Sequence, residues 1–117
     1  MISIEAIVRP ERIHSVTEAL RAAGCQGFYY VNVTGEGRQR GVEVFVGRGG
    51  AMASRSSVPK TLIRTVVPDE MQERVIEAIL ESARGPGEGE IGDGKIFISR
   101  VEEVVRVRTG ERAEKAL

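Results

Sequence analysis

Two short stretches toward the C-terminal end carry residue types suited to holding a polyphosphate. Ile91-Gly92-Asp93-Gly94-Lys95-Ile96-Phe97 is a glycine turn that delivers a lysine onto a strand. Gly92, Asp93 and Gly94 offer backbone N–H groups with little side-chain bulk, the make-up of an anion-binding nest. Lys95 adds a mobile point charge. Further on, Arg106-Val107-Arg108-Thr109-Gly110-Glu111 places two arginines at alternate positions. In an extended segment, residues two apart share a face. On that reading Arg106 and Arg108 form a fork for phosphate oxygens, while Val105 and Val107 turn into the core. The alternative is a pair of solvated surface arginines, and spacing alone leaves both open.

Catalytic chemistry is poorly supplied. His14 is the one histidine and has no partner at ligand spacing, so neither a metal site nor a Ser-His-Asp set has a centre. It is expected on a solvated helix face. Cys25 is the one cysteine, without an activating neighbour, and reads as a small buried residue at a helix end. It has no internal disulfide partner, as expected of a reducing compartment. Glu102 and Glu103 are adjacent and would face opposite ways on a strand. The glycine-spaced turn from Gly35 to Gly41 is followed by no helix, so a dinucleotide fingerprint is rejected. The expected protein is not an enzyme.

The elements that must position these residues fit a single domain. The 117 residues are 41% hydrophobic and 29% charged, with 17 basic and 17 acidic side chains. A core is affordable at this length, and no global charge draws the chain to nucleic acid or an anionic membrane. Charge is uneven, however: Arg38, Arg40, Arg48, Arg55, Lys60 and Arg64 face only Glu43 between positions 37 and 64. That stretch favours an anionic ligand or an acidic partner. No apolar run reaches membrane-spanning length and the N-terminus is no signal peptide, so a cytoplasmic protein without membrane insertion is expected.

Ile2 to Val8 reads as a strand. Pro10 opens a helix with Ile13, Val16, Leu20 and Ala23 on one stripe, stopped by Gly24. Phe28 to Thr34 is a second strand, with Tyr29, Val31 and Val33 on one face. Gly35 to Pro59 is rich in glycine and serine, with Val42 to Val46 able to extend the second strand as one arm of a hairpin. The remainder, through residues 47–50, is expected to be mobile. A loop this long is an interaction arm or a plain insertion. Lys60 to Val67 is a third strand, buried on both faces apart from Arg64. Pro68-Asp69 starts a second helix, with Asp69 and Gln72 spaced as a capping box and Met71, Val75, Ile76, Ile79 and Ala83 as its buried stripe. A glycine-rich loop from 85 to 94 leads to a fourth strand over 95–101. Val104 to Val107 adds a short fifth strand, and 112–117 is a partly helical tail. The order β-α-β-β-α-β is the α+β ferredoxin-like sandwich, an antiparallel sheet with both helices on one face. The other sheet face needs a cover, and a second copy of the chain is the simplest one.

At these residues the chain resembles the PII signal-transduction proteins, trimeric sensors of nitrogen and carbon status. The likeness spans nearly the whole length: Ile4 to Pro10, Gly24 to Gly27, the Gly35-x-Gly37-Arg38-Gln39-Arg40-Gly41 turn, Pro59-Lys60, Val66 to Asp69, Ile91 to Phe97, and Arg106 to Glu111. The resemblance implies one domain over 1–117, with a T-loop at about 37–58, a B-loop at about 84–95 and a tail at about 109–117. It implies a homotrimer with ATP or ADP in clefts between neighbours. Gly92, Asp93, Gly94 and Lys95 would hold phosphates, and Arg106 and Arg108 would reach in from the adjacent subunit. Gly27, Gly35, Gly37 and Arg38 match positions near the nucleotide. Gln39 matches the residue that assists Mg²⁺ and 2-oxoglutarate beside ATP. Lys60 matches the lysine that pairs with 2-oxoglutarate. The T-loop would insert into an enzyme, transporter or channel.

Three departures qualify the resemblance. Tyr29 and Tyr30 are the only tyrosines, so the T-loop lacks the residue that many relatives uridylylate, and Ser54, Ser56 or Ser57 would have to carry any modification there. Arg64 stands where relatives commonly have a glutamate. The loop through Glu88 and Glu90 is longer and more acidic than usual. These features admit a specialised branch that senses ADP or AMP with another anion such as bicarbonate, or a nitrogenase-associated regulator. An RNA-binding module on the same fold is disfavoured by 4% aromatic content and a third strand without aromatics.

Overall fold

A computed structural model describes residues 1–37 and 57–117, and the backbone of 43–46 and 51–54. The strands are β1 (Ile2–Val8), β2 (Phe28–Gly35), β3 (Glu43–Val46), β4 (Ala51–Ser54), β5 (Val58–Val67) and β6 (Gly94–Arg100), and the helices are α1 (Ile13–Ala22) and α2 (Gln72–Ala83). Four strands form one sheet in the order β2-β5-β1-β6 with every neighbouring pair antiparallel. The two helices lie on one face. This is the ferredoxin-like α+β sandwich expected from the element order.

Alternation explains the layering. Ile2, Ile4, Ala6 and Val8 point to the helices, each at most 4% exposed, and meet Ile63 and Val67 of β5. Val16 and Leu20 of α1 and Val75 and Ile79 of α2 close the core from above. Gly24 ends the first helix at φ +95°, in the left-handed region that glycine enters without a Cβ penalty. Cys25, just beyond, is buried, and burial pushes its thiol upward in pKa. His14 is exposed. No described helix is long and apolar enough to cross a membrane.

The opposite sheet face carries Tyr29, Val31 and Phe97, each about half exposed, beside the half-buried Ile7, Leu62 and Val66. On that face Arg64 Nε donates to Ser3 Oγ at 2.9 Å, and its Nη1 donates to Tyr29 Oη at 3.2 Å. Ser3 is thereby buried on the otherwise open side.

Several local expectations are corrected. Both helices start with a 3₁₀ turn, Pro10–Arg12 and Asp69–Met71, and neither has a side-chain cap. Asp69 is no capping residue: its carboxylate accepts from the Met1 ammonium at 2.8 Å and from Arg100 at 3.3 Å. Those partners hold its carboxyl below the usual range. β5 begins at Val58, and it alternates between buried and half-exposed residues instead of being buried on both faces. Glu43–Val46 is one arm of a hairpin, as expected, but it pairs with Ala51–Ser54 in a ribbon separate from the sheet that holds β2. Val104 to Val107 forms no strand, only a single bridge from Val105 to Arg112. Val105 and Val107 do not enter the core, being 46% and 101% exposed. The tail does form a 3₁₀ turn, Ala113–Ala116. Positions 47–50, expected to be mobile, lie outside the described residues.

Candidate functional site

The loop between α2 and β6 is organised around one carboxylate. Asp93 Oδ2 accepts the Gly85 N–H at 2.9 Å and the Glu90 N–H at 2.7 Å. Its other oxygen accepts Arg9 Nε at 3.2 Å, and Arg9 Nη2 donates to the Ile91 carbonyl at 2.9 Å. Burial would raise the Asp93 pKa, but the two backbone donors and the guanidinium outweigh it, so the carboxyl lies below its ordinary range. Gly92 and Gly94 sit at φ +99° and +129°. A Cβ at Gly94 would fall on the Ile7 carbonyl oxygen, so the start of β6 admits only a bare backbone.

Beside this loop is a cleft of about 460 Å³, lined on one side by Gly92, Asp93, Gly94 and Lys95 and on the other by Gly35, Glu36, Gly37, Val58 and Lys60. Antiparallel pairing produces the meeting: Gly35 is opposite Val58 and Gly94 is opposite Val8. Lys60 Nζ donates to the Gly92 carbonyl across the cleft. Burial lowers the Lys60 pKa, and the nearby Arg9 charge lowers it further. Positive-φ glycines and two lysines fit a phosphate or carboxylate. Seven of the candidate residues thus share one cleft. Asp93 is committed to holding the loop from within.

The remaining candidates lie elsewhere. Gly27 lines a second cleft, of about 610 Å³, with Tyr29, Arg64, Val104 and Leu117 at the other end of the sheet. Its carbonyl accepts Thr65 Oγ1 at 2.7 Å. Arg106 and Arg108 are not alternate residues of a strand, because the chain turns over Val107–Thr109. The turn is closed by Arg106 N–H to Glu111 O at 2.9 Å and by Gly110 N–H to Arg106 O at 2.8 Å. The Arg106 guanidinium donates to the main-chain oxygen of Leu117 at 2.8 Å. β6 runs from Gly94 to Arg100, about 20 Å, between the first cleft and this segment. Arg38 and Gln39 lie outside the described residues.

Residue spacing alone did not single out Arg9 or Thr65. Arg9 has a weak signal: it follows a strand whose last residue pairs with Gly94, which puts its side chain beside the glycine loop. Thr65 has none, since its hydroxyl partner is 38 positions away.

Comparison with known proteins shows the family of the chain. The family model described as Nitrogen regulatory protein P-II matches residues 1–111. The chain is 49% identical over 118 aligned positions to Nitrogen regulatory protein P-II 2 of Methanothermobacter thermautotrophicus, covering all of this chain and 97% of that protein. It is 44% and 46% identical to the proteins named Nitrogen regulatory protein P-II of Rhodobacter capsulatus and Cereibacter sphaeroides, with full coverage of each. The ferredoxin-like sheet, the glycine loop that opens β6 and this end-to-end likeness lead to one assignment: the chain belongs to the P-II family of nitrogen regulatory proteins, which are signalling proteins and not enzymes.

Proposed function

We propose that this regulator binds ATP or ADP between the subunits of a homotrimer, senses a small anion beside the nucleotide, and acts on a target through its T-loop. The placement of the cationic groups carries this reading. Gly92, Gly94, Lys95, Gly35, Gly37 and Lys60 line one cleft, while Arg106 and Arg108 sit beyond the far end of β6. One chain does not wrap a nucleotide with both sets, whereas a neighbouring copy supplies the second set. The half-exposed Tyr29, Val31 and Phe97 give such a copy an apolar face to cover.

In this reading Gly27 and Arg38 contact the nucleotide, and Gln39 assists Mg²⁺ and 2-oxoglutarate. Lys60, which already reaches the Gly92 carbonyl, takes the effector's carboxylate. The loops at about 37–58 and 84–95 are the T-loop and B-loop. The regulated partner is an enzyme, transporter or channel, addressed by T-loop order. Glu36 and Glu90 line the same cleft and favour a second reading, a specialised member that prefers ADP or AMP with another anion such as bicarbonate, or one that serves nitrogenase.

Calorimetric titration of ATP, ADP and AMP, each with and without Mg²⁺ and 2-oxoglutarate, tests the proposal. Synergy between ATP and 2-oxoglutarate supports the first reading, and ADP or AMP binding alone supports the second. Saturation at about 100 times Kd should add about 2.7 kcal/mol of stability. A monomer in sedimentation, or no heat with any adenylate, overturns both.

A further inference from the structure

Resting on that nucleotide reading, we propose that the C-terminal tail is a built-in competitor of the ligand: residues 112–117 fold back onto Arg106 and must leave it before a phosphate binds there. Arg106 Nη2 donates to the Leu117 main-chain oxygen at 2.8 Å and approaches that of Lys115 at 3.5 Å. Main-chain oxygens thus stand on the guanidinium in the role that phosphate oxygens would take. The same tail reaches the second cleft, where Glu114 and Leu117 share the lining with Gly27. The fold-back therefore stands at both candidate ligand contacts of this end of the sheet, Arg106 and Gly27.

Specific contacts return the chain on itself. The Ala113 N–H donates to Val104 O at 3.0 Å, Val105 and Arg112 form a bridge, and Arg112 Nη1 pairs with Glu103 Oε2 at 3.2 Å. The 3₁₀ turn over Ala113–Ala116 then brings Leu117 to Arg106. The hinge of this reversal is strained. Ala113 sits at φ +59°, the one non-glycine residue with positive φ among the described residues, and a Cβ is disfavoured in that region. Both side chains of the Arg112–Glu103 pair are exposed, so water and salt screen it. A strained hinge and a screened ion pair keep the closed tail releasable. A ligand that binds only the open form has its affinity reduced by the open fraction.

The hinge residue permits a test in both directions without changing any charge. ATP and pyrophosphate are titrated calorimetrically into the full chain as wild type, Ala113→Gly and Ala113→Pro, with the urea midpoint checking the fold of each. Ala113→Gly relieves the left-handed backbone and should hold the tail closed, weakening both ligands about 2- to 5-fold. Ala113→Pro loses the N–H that bonds Val104 O and cannot adopt a positive φ, so it should open the tail and tighten both ligands about 3-fold or more. In the wild type, saturating ATP should speed tryptic release of residues 116–117 after Lys115, followed by mass spectrometry. Tightening by glycine with weakening by proline would make the tail part of the ligand's own enclosure and overturn the proposal. Equal affinity in wild type and both variants, or tail release that ATP slows or leaves unchanged, also overturns it. Opposite shifts for pyrophosphate without adenylate binding keep the tail as competitor and remove the nucleotide assignment, whereas no phosphate binding by any of the chains removes both.

Discussion

The Arg9 guanidinium and the Asp93 carboxylate, 84 positions apart in sequence, meet at 3.2 Å and clamp the glycine loop to the end of β1. The carboxylate also collects two backbone N–H groups, so it acts as the hub of residues 85–93. The turn through Gly92 and Gly94 is thereby held in shape, so an anion binding there would meet a lower ordering cost.

Removing that hub should loosen the loop. Asp93→Ala is expected to cost about 1–3 kcal/mol, read from the urea midpoint, because Arg9 and two amides lose their acceptor. The folded-state pKa of Asp93 is depressed, so its contribution is complete above the unfolded value of about 4 and fades as pH falls through the folded value. The stability gap between wild type and Asp93→Ala should therefore narrow in acid. A gap that widens below pH 4 would contradict the hub.

The glycines should divide into two classes. Gly94→Ala forces a Cβ onto the Ile7 carbonyl at φ +129°, and should cost more than about 3 kcal/mol or abolish folding. Gly35 and Gly37 have nothing within 4 Å of an added Cβ. Alanine at either should leave stability within about 0.5 kcal/mol of wild type. Loss of nucleotide affinity in Gly37→Ala, with the unfolding midpoint kept, would then report ligand contact alone.

Subunit mixing tests the shared site. Lys95→Ala and Arg108→Ala chains should each bind adenylate poorly. After denaturation and refolding together at equal ratio, about a quarter of interfaces in a cyclic assembly combine an intact Lys95 with an intact Arg108. Recovery of about that fraction of ATP sites is the expected result. No recovery would place both residues around the same subunit's ligand or around none.

Thr65 should matter through Gly27. Thr65→Val removes the donor to the Gly27 carbonyl and should cost about 1–2 kcal/mol by urea unfolding, with the slope unchanged. Thr65→Ser should restore most of it.

Much of the sandwich is legible in the amino-acid order because its signals are strong and local. Alternation marks β1, the 3.6-residue stripes mark α1 and α2, and Gly24 marks the first helix end. Prediction weakens where non-local partners decide. Asp69 has the spacing of a cap, yet the Met1 ammonium and Arg100 claim it from across the fold. Residues 104–108 have strand-like composition, but β6 ends at Arg100, and the segment bonds instead to Glu111, Ala113 and Leu117. Gly92 to Lys95 could be singled out because closely spaced glycines followed by a lysine have the make-up of an anion-binding nest. The role of Asp93 as hub could not, since its donors are defined only once the loop has closed.

Lys60 stands two residues past the point where the chain comes back from the β3–β4 ribbon, and its ammonium grips the Gly92 carbonyl. The start of β5 and the glycine turn are thus tied together by one side-chain contact. Breaking that contact would untie the two segments while leaving every strand pairing of the sheet in place.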